Sequence, residues 1–360
     1  MKETTKRVYY IDNLRWMTVS LLILYHAAMA YNTWGEANYI FLGAVKPISS
    51  VVVFISPWFM PLMFLLAGIS SKFSLRKRGY KTFICERFKR LGIPFIFGMV
   101  VINPVLSYIA DVTHNGYTGN YFAHYGVFFT KYTDLTGYDG GFTLGHFWFI
   151  AVLMVISLLS CLIIRLVDMI PERTREKARL LVGVLLFVVA IASYEITAFG
   201  KSLLTYLFLY LLGYYYFSNP EIVKGISKFK WLFTGVFVPI ALANAILYVY
   251  VGDYPTLNTI CMYGSLAFGV LALFSLGYDY LDFTGKFSRF NAKVSYVHYI
   301  IHFLIVVLCQ YCFSLINVGS IANFFMTLVV SYPVTYTLCY VIDKTRYFRV
   351  VFGLKSKKNN

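Results

Sequence analysis

The chain has 360 residues, of which 59% are hydrophobic and only 13% charged, and its mean hydropathy is +0.66. Soluble domains carry about 25% charged residues, so half the usual polar surface is missing; a water-soluble fold, a disordered chain, a collagen and a coiled coil are all excluded. Lys and Arg total 32 against 16 Asp and Glu, a formal charge of +16. The basic residues lie in short clusters between apolar runs, a distribution that points to a lipid bilayer and not to nucleic acid.

A mostly apolar run of about 20 residues crosses the hydrocarbon core as a helix. Ten runs predict helices at 14–34, 48–70, 92–112, 144–166, 180–199, 202–217, 231–251, 258–278, 294–313 and 321–342. Their length favours helices over barrel strands, which would alternate over about ten residues. The fold class expected is all-α, a polytopic transmembrane helix bundle of about ten spans. The first run carries Arg15 and His26 and lacks a small-residue cleavage site, so it reads as a retained span, not a signal peptide. Only Gly200 and Lys201 separate the fifth and sixth runs. Residues 71–91 are strongly basic, whereas 113–143 are rich in Gly, Tyr, Asp and His, with Lys131 the one positive charge.

Placing the N-terminus in the cytoplasm puts 29 of the 32 Lys and Arg on that side and leaves Lys46, Lys131 and Lys201 outside. Positive charge stays inside, so both termini are expected in the cytoplasm of a multi-pass plasma-membrane protein. Residues 1–342 read as a single membrane-embedded domain and 343–360 as a basic cytoplasmic tail, ending in Lys355, Lys357 and Lys358. No internal repeat is visible. The six cysteines lie mostly inside apolar runs, which argues against structural disulfides; Cys309 and Cys312 form a CxxC there that reads as packing.

Ionisable residues inside a span are costly and are functional candidates by default. Arg15 and His26 are eleven positions apart, about 20° from a shared direction after three turns and about 16 Å apart along the axis. Asp12 stands at i, i+3 spacing from Arg15 and can pair with it. Tyr25 and Asn32 add polarity to the same helix. Other spans carry His298, Tyr299 and His302, His146 with Trp148, Glu195, and Asn244. Each alone reads equally as a snorkelling side chain or interhelical glue. Several titratable groups at membrane depth together point to a wet cavity or a pathway.

Five motifs occur in order. Arg15, ten residues and His26 form R-x10-H. Arg87-Phe88-Lys89-Arg90 forms R-x-x-R. Pro57 to Leu62 runs on to Ala67-Gly68, Gly145-His146-Phe147-Trp148-Phe149 fits G-H-x-W-[FY], and Tyr299 and His302 lie in a late span. With these the chain, over about 7–342, resembles the acyltransferase-3 family of membrane O-acyltransferases of the polysaccharide-modifying type. Asn13 and Trp16 stand where that family usually shows glycine around its Leu-Arg pair, a departure that suggests a divergent subgroup. The appended extracytoplasmic esterase-like domain of some relatives is not expected.

The resemblance implies transfer of an acyl group, most commonly acetyl, from cytoplasmic acyl-CoA to a hydroxyl of an extracytoplasmic glycan. Arginine forks bind phosphate bidentately, so Arg87 and Arg90 are expected on the CoA phosphates, with Arg76, Lys77 and Arg78 as helpers; the positive-inside rule alone would also make this loop basic. His26, deep in the membrane, is the expected general base toward the acceptor, an acyl-histidine being the other route. Arg15 is expected to neutralise CoA phosphates or to hold the helix through Asp12. His302 is a candidate for orienting substrate, and His146 and Trp148 for binding the acceptor at the outer mouth, where the tyrosines of 117–138 can stack on sugar rings. Glu195 reads as solvated. No metal is expected, since His298 and His302 lack a third ligand.

Expected partners are acyl-CoA as co-substrate, with acetyl-CoA first, a carbohydrate acceptor and the bilayer, with no permanently bound cofactor and no nucleic acid; no partner protein or oligomeric state is assigned. The alternative is a transporter or flippase for a glycan or lipid-linked intermediate. The paired arginines and the lack of inverted repeats with broken helices argue against it. A membrane acyltransferase of the other large class, with a late intramembrane His after Asn or Asp, fits poorly because the best His lies in the first span.

Overall fold

The computed structural model describes residues 8–132 and 134–354. Lys2, Lys6, Arg7, Lys355, Lys357 and Lys358, used above to orient the chain, lie outside them. Among the described residues the chain is all-helical, with only two isolated bridges, Tyr132 with Phe142 and Ala198 with Lys201.

In chain order the helices are α1 (Tyr9–Met29), α2 (Lys46–Arg78), α3 (Tyr80–His114), α4 (Tyr121–Thr130), α5 (Trp148–Asp168), α6 (Glu172–Ala192), α7 (Leu203–Tyr215), α8 (Pro220–Ser227), α9 (Lys230–Val251), α10 (Pro255–Tyr280), α11 (Lys286–Leu315), α12 (Ser320–Lys344) and α13 (Arg346–Val351). Seven of them, α2, α3, α5, α9, α10, α11 and α12, are long and apolar enough to cross a membrane. The other three apolar runs fall on α1, α6 and α7. Helix α7 has 13 residues, about 20 Å at 1.5 Å each, and is sheltered between α2 and α6.

Helix α1 sits at the centre, packed on α2, α10, α11 and α12. Helix α2 packs against α7, α9 and α10. Two glycines set the α2–α7 distance. A Cβ on Gly68 would meet the Tyr210 carbonyl oxygen at 1.9 Å, and one on Gly213 the Leu65 carbonyl oxygen at 2.1 Å. Backbone meets backbone here, as in other small-residue membrane interfaces.

Polar residues close this bundle where the helices leave carbonyls unmet. Pro57 has no N–H for the Val53 carbonyl; Asn244 of α9 donates its Nδ2 there at 3.3 Å, and α2 runs on through Pro57 and Pro61. The Ala27 carbonyl, in the last turn of α1, accepts from Gln310 Nε2 of α11 at 2.9 Å. Asn13 Nδ2 donates to the carbonyls of Leu281 and Phe283, and its Oδ1 accepts from Trp16 Nε1. The pair that departs from the usual glycines thus ties the start of α1 to the end of α10.

Two expectations are revised. The run 92–112 is the second part of the longer helix α3, which widens into π-helical turns at 88–92 and 98–102. The run 180–199 is helical only to Ala192; Ser193 Oγ bonds the Ala190 carbonyl and Thr205 Oγ1, and 193–202 become a tight turn with positive φ at Phe199 and Gly200. Of the stretch 343–360, the described residues 343–354 lie against the bundle. Asp343 is paired with Lys293 (2.6 Å) and Arg349, and Phe352 is buried against Phe97, so the chain through 354 folds back under the bundle.

Gly213→Ala forces the α2 and α7 backbones apart and is expected to cost about 1–3 kcal/mol, the usual range for overpacking. Gly235→Ala, where a Cβ meets open space, serves as the control. Thermal unfolding in detergent followed by size-exclusion chromatography checks the pair: the first variant melts lower and the second does not.

Candidate functional site

One large cavity, of about 640 Å³, opens at the end of the bundle opposite the Lys- and Arg-rich segments. Its walls come from far apart in the chain: Tyr25, His26 and Met29 of α1, Ser56, Phe59 and Met60 of α2, His146 and Trp148 at the start of α5, Tyr206 of α7, Met262 of α10 and Tyr299 of α11. Three connections form the rim and roof, through Glu36, Tyr138 and the 193–202 turn with Glu195 and Lys201. The size and aromatic walls suit a small organic substrate such as a sugar unit.

His26 is 5% exposed. Phe303 of α11 stacks on its ring with centroids 3.8 Å apart and 20° between planes, fixing the ring's plane. Its Nδ1 is sealed without a hydrogen-bond partner, so Nε2 is the nitrogen the cavity reaches. Behind it stands His302, with ring centroids at 5.3 Å, and His146 lies 5.5 Å from His302. His302 Nδ1 contacts the carbonyls of Tyr299 (2.8 Å) and His298 (3.2 Å), and His146 Nε2 contacts the Ile300 carbonyl (3.1 Å). A carbonyl oxygen only accepts, so both of those nitrogens carry hydrogen. Tyr299 donates its hydroxyl to the His146 carbonyl, holding the 145–147 turn on α11.

Trp148 is not an interfacial belt residue. It is buried, with Tyr206 stacked on one side (5.8 Å) and the Lys201 ammonium over its ring (5.0 Å). Among the described residues no carboxylate forms an ion pair with Lys201. Burial lowers the pKa of this amine, while Glu36 and Asp134 oppose that shift from a distance. Burial likewise holds the Tyr138 phenol well above the usual tyrosine range, and it stays protonated as a donor in the roof.

At the basic end Arg15 and Arg87 converge on two neighbouring serines of α2. Arg15 pairs with Asp12 (3.2 Å), as the i, i+3 spacing predicts, and donates to Ser70 Oγ (2.5 Å). Arg87 Nη2 donates to Ser71 Oγ (2.6 Å), which also accepts from the Tyr210 hydroxyl (2.6 Å) and donates to the Ala67 carbonyl. The π-helical turn begins at the next residue, a feature frequent at functional sites. Arg90 is exposed and does not join this cluster, and Arg78 is held by Glu86.

The cavity's walls do not extend to these arginines. Phe59, Met60 and Tyr299 line it and also a void of about 10 Å³ closed by Thr18, Val19, Leu22, Met63 and Phe149. Mostly apolar side chains therefore separate His26 from Arg15; Thr18 spends its hydroxyl on the Leu14 carbonyl.

Of the residues singled out in the sequence, Tyr25, His26, His146, Trp148 and Tyr299 line one cavity, with His302 directly behind. Asp12, Arg15 and Arg87 form a second group, and Arg90 stands apart on the surface. Asn32 and Asn244 serve the fold: Asn32 closes the turn after α1 on Glu36. Glu195, read as solvated, is exposed at the cavity rim. The 113–143 stretch is not a plain loop, since it contains α4. Its tyrosines 117, 121 and 125 pack around Tyr108, His124 and one another, and of that group only Tyr138 reaches the cavity. Asp111 holds the whole stretch through His124 (2.6 Å), Lys131 (3.1 Å), Asn115 (2.8 Å) and the Gly141 N–H. Sequence reasoning missed Lys201, Tyr206, Ser56 and Glu36 as site residues. Lys201 alone gave a signal, as one of three basic residues on the far side. Among the described residues no three His, Cys, Asp or Glu side chains group as a metal site.

Ser71→Ala leaves the Tyr210 hydroxyl and one Arg87 donor without their acceptor. It is expected to cost about 1–3 kcal/mol, visible as a lower thermal midpoint, with Ser70→Ala milder because that site is half-buried.

Neither a curated protein nor a solved structure matches this chain. A family model does: the one described as an acyltransferase domain, of the acyltransferase-3 type, aligns with residues 8–344 and so takes in both residue groups and every helix through α12. On that match, the chain belongs to the acyltransferase-3 family of membrane acyltransferases.

Proposed function

We propose that this protein transfers an acyl group, acetyl first, from cytoplasmic acyl-CoA to a hydroxyl of an extracytoplasmic or cell-surface glycan. In this reading it crosses the plasma membrane ten times with both termini in the cytoplasm. The observation that carries it is the pairing, on α1, of a base-bearing cavity at one end with an arginine cluster at the other.

The arginine end suits the donor. Acyl-CoA brings a pyrophosphate and a 3′-phosphate, and Arg87, with Arg15 alongside, supplies fork-shaped donors. Arg87 is held by a serine hydroxyl, and Arg15 by a serine hydroxyl and Asp12, partners that a phosphate can displace. Arg90, apart from them on the surface, can close on the nucleotide from outside the cluster. The cavity suits the acceptor. Its aromatic walls fit sugar faces, and Lys201, Glu36 and Glu195 offer donors and acceptors to ring hydroxyls.

Chemistry occurs at His26. Nε2 takes the proton of the acceptor hydroxyl as its oxygen attacks the thioester carbonyl; the new C–O bond forms, the C–S bond breaks, and the thiolate leaves toward the basic end. For the thioester to reach Nε2 the side chains of Phe59, Met60 and Met63 must part. Methionine adapts readily to such a thread, and a plug that opens only for the donor keeps ions from leaking through the bundle.

Purified protein in nanodiscs, given acetyl-CoA and a polysaccharide acceptor, is expected to release free CoA only when both are present. His26→Ala is expected to lower kcat by roughly 100-fold or more, the scale of general-base loss. Glycan movement across the vesicle without thiol release would favour the flippase reading instead.

The two ends also separate kinetically. Arg87→Lys replaces a fork with a point charge and is expected to raise KM for acyl-CoA roughly tenfold, with KM for the acceptor unchanged. Lys201→Ala is expected to do the reverse. Initial-rate kinetics with each substrate varied decide the matter, and equal effects on both KM values would overturn the assignment of ends.

A further inference from the structure

Four histidines at the heart of the bundle each bury a ring nitrogen without a hydrogen-bond partner, as do other buried groups such as Tyr39, Asn38 and Ser107; what sets the histidines apart is that their rings contact one another. Asn244, Gln310, Ser71 and Asn13 all reach partners across helix interfaces. His26 Nδ1, His146 Nδ1, His298 Nε2 and His302 Nε2 do not. Structural histidines in a lipid-embedded core are expected to be bonded, so this cluster needs another explanation.

The bonds that do exist settle which nitrogens are bare. His302 spends its Nδ1–H on two carbonyls of its own helix, one and the same proton shared between i−3 and i−4. Its Nε2 is then a lone pair. His302 has no exposed surface, and that lone pair faces no hydroxyl, amide or water-filled space among the described residues. His146 is set the same way by the Ile300 carbonyl, with its lone pair on Nδ1. Two imidazoles thus offer acceptors that cannot satisfy each other, and two unassigned imidazoles lie near His302: His26 at 5.3 Å and His298, one turn away on the same helix, at 6.0 Å; of these only His26 lines the cavity.

We infer that His302 is the positioning residue for His26: the two nitrogens are not bonded to each other in the structure, but with the rings 5.3 Å apart a small in-plane shift of His26 lets its Nδ1–H donate to His302 Nε2, which holds the His26 Nε2 lone pair toward the cavity. The inference rests on the reading of His26 as the base. It goes beyond that reading by assigning the tautomer and the group that sets it, a second residue oriented behind the first.

Three features support it. Phe303 stacks on His26 and prevents the ring from turning edge-on to another partner. The backbone clamp on His302 prevents that ring from flipping to present a donor. His302 does not line the cavity, so it does not touch the acceptor and acts only through His26. During transfer the acceptor proton arrives at His26 Nε2. The imidazolium leans its Nδ1 proton on His302 Nε2 while the C–O bond forms and the C–S bond breaks. The proton at Nε2 then leaves to the departing thiolate or to cavity water, restoring both neutral rings. No other reactant is needed.

Two substitutions and one spectrum test this. His302→Phe keeps the ring and removes both nitrogens; His302→Gln keeps an acceptor oxygen near the Nε2 position. The Phe variant is expected to lose roughly 100-fold in kcat with KM for both substrates within about twofold, and the Gln variant is expected to recover most of that loss. A Phe variant as active as the parent, equal loss in both variants, or loss expressed in KM would overturn the inference. Should the Phe variant fail to fold, or should the protein release no CoA, the parent still answers by ¹⁵N-histidine NMR in nanodiscs, with His26 identified from the His26→Ala spectrum. Hydrogen on His26 Nδ1 is the expected result. Hydrogen on Nε2 overturns the inference whatever the turnover, whereas absent CoA release beside an Nδ1–H signal overturns only the proposed function.

Discussion

A bilayer supplies no water to a stranded polar group, and the architecture of this protein follows from that single constraint. Helices satisfy their own backbones, and proline gaps and helix ends are repaired by side chains from neighbours: Asn244 on the carbonyl that Pro57 releases, Gln310 on the last turn of α1, Asn13 on the end of α10. These repairs lock the rotation of α1 and α2 within the bundle. With that rotation set, His26 faces α11 and Arg15 faces the serines of α2. The histidine cluster departs from the same rule, with four unmet nitrogens on rings that contact one another.

The separation of the two residue groups has a functional logic. In the proposed reaction the CoA thioester is large, anionic and soluble, and the glycan is large, neutral or acidic, and on the other side. An open pore joining them would dissipate ion gradients. Aromatic and methionine side chains between the cavity and the arginines divide the bundle into two compartments with a thin apolar partition. Such a partition excludes water from the neighbourhood of His26, which also disfavours hydrolysis of a thioester brought there. The roof over the cavity is built separately, from a stretch stapled by Asp111 and closed by Tyr138.

Much of this was legible in the residues themselves, for identifiable reasons. Run lengths reveal helices because the hydrocarbon core has a set thickness. The eleven-residue step from Arg15 to His26 places both on α1 at their proper depths because the α-helix repeats regularly. The i, i+3 spacing of Asp12 and Arg15 is a local pair and is formed. Arg90 was harder. The R-x-x-R spacing suggests two forks side by side, but the π-helical turn after Arg87 changes the angle between them, and hydrogen bonding that widens a turn leaves no mark in composition. The end of α6 was hidden for a similar reason: residues 193–199 are apolar enough to continue a helix, and only the bonds of Ser193 and the bridge at Lys201 end it.

The sequence by itself determined that this is an all-helical membrane protein, which apolar runs are helical, and which polar side chains fall within them, because hydropathy and periodicity are properties of neighbouring residues. The tertiary structure alone decided that His146, Trp148 and Tyr299 meet His26 across some 120 to 270 positions of chain, that Lys201 enters the cavity over Trp148, and that His302 stands behind His26 with a bare nitrogen. Those relations depend on which faces of distant helices pack together, and close contacts such as Gly68 on Tyr210 set that packing without any local signature.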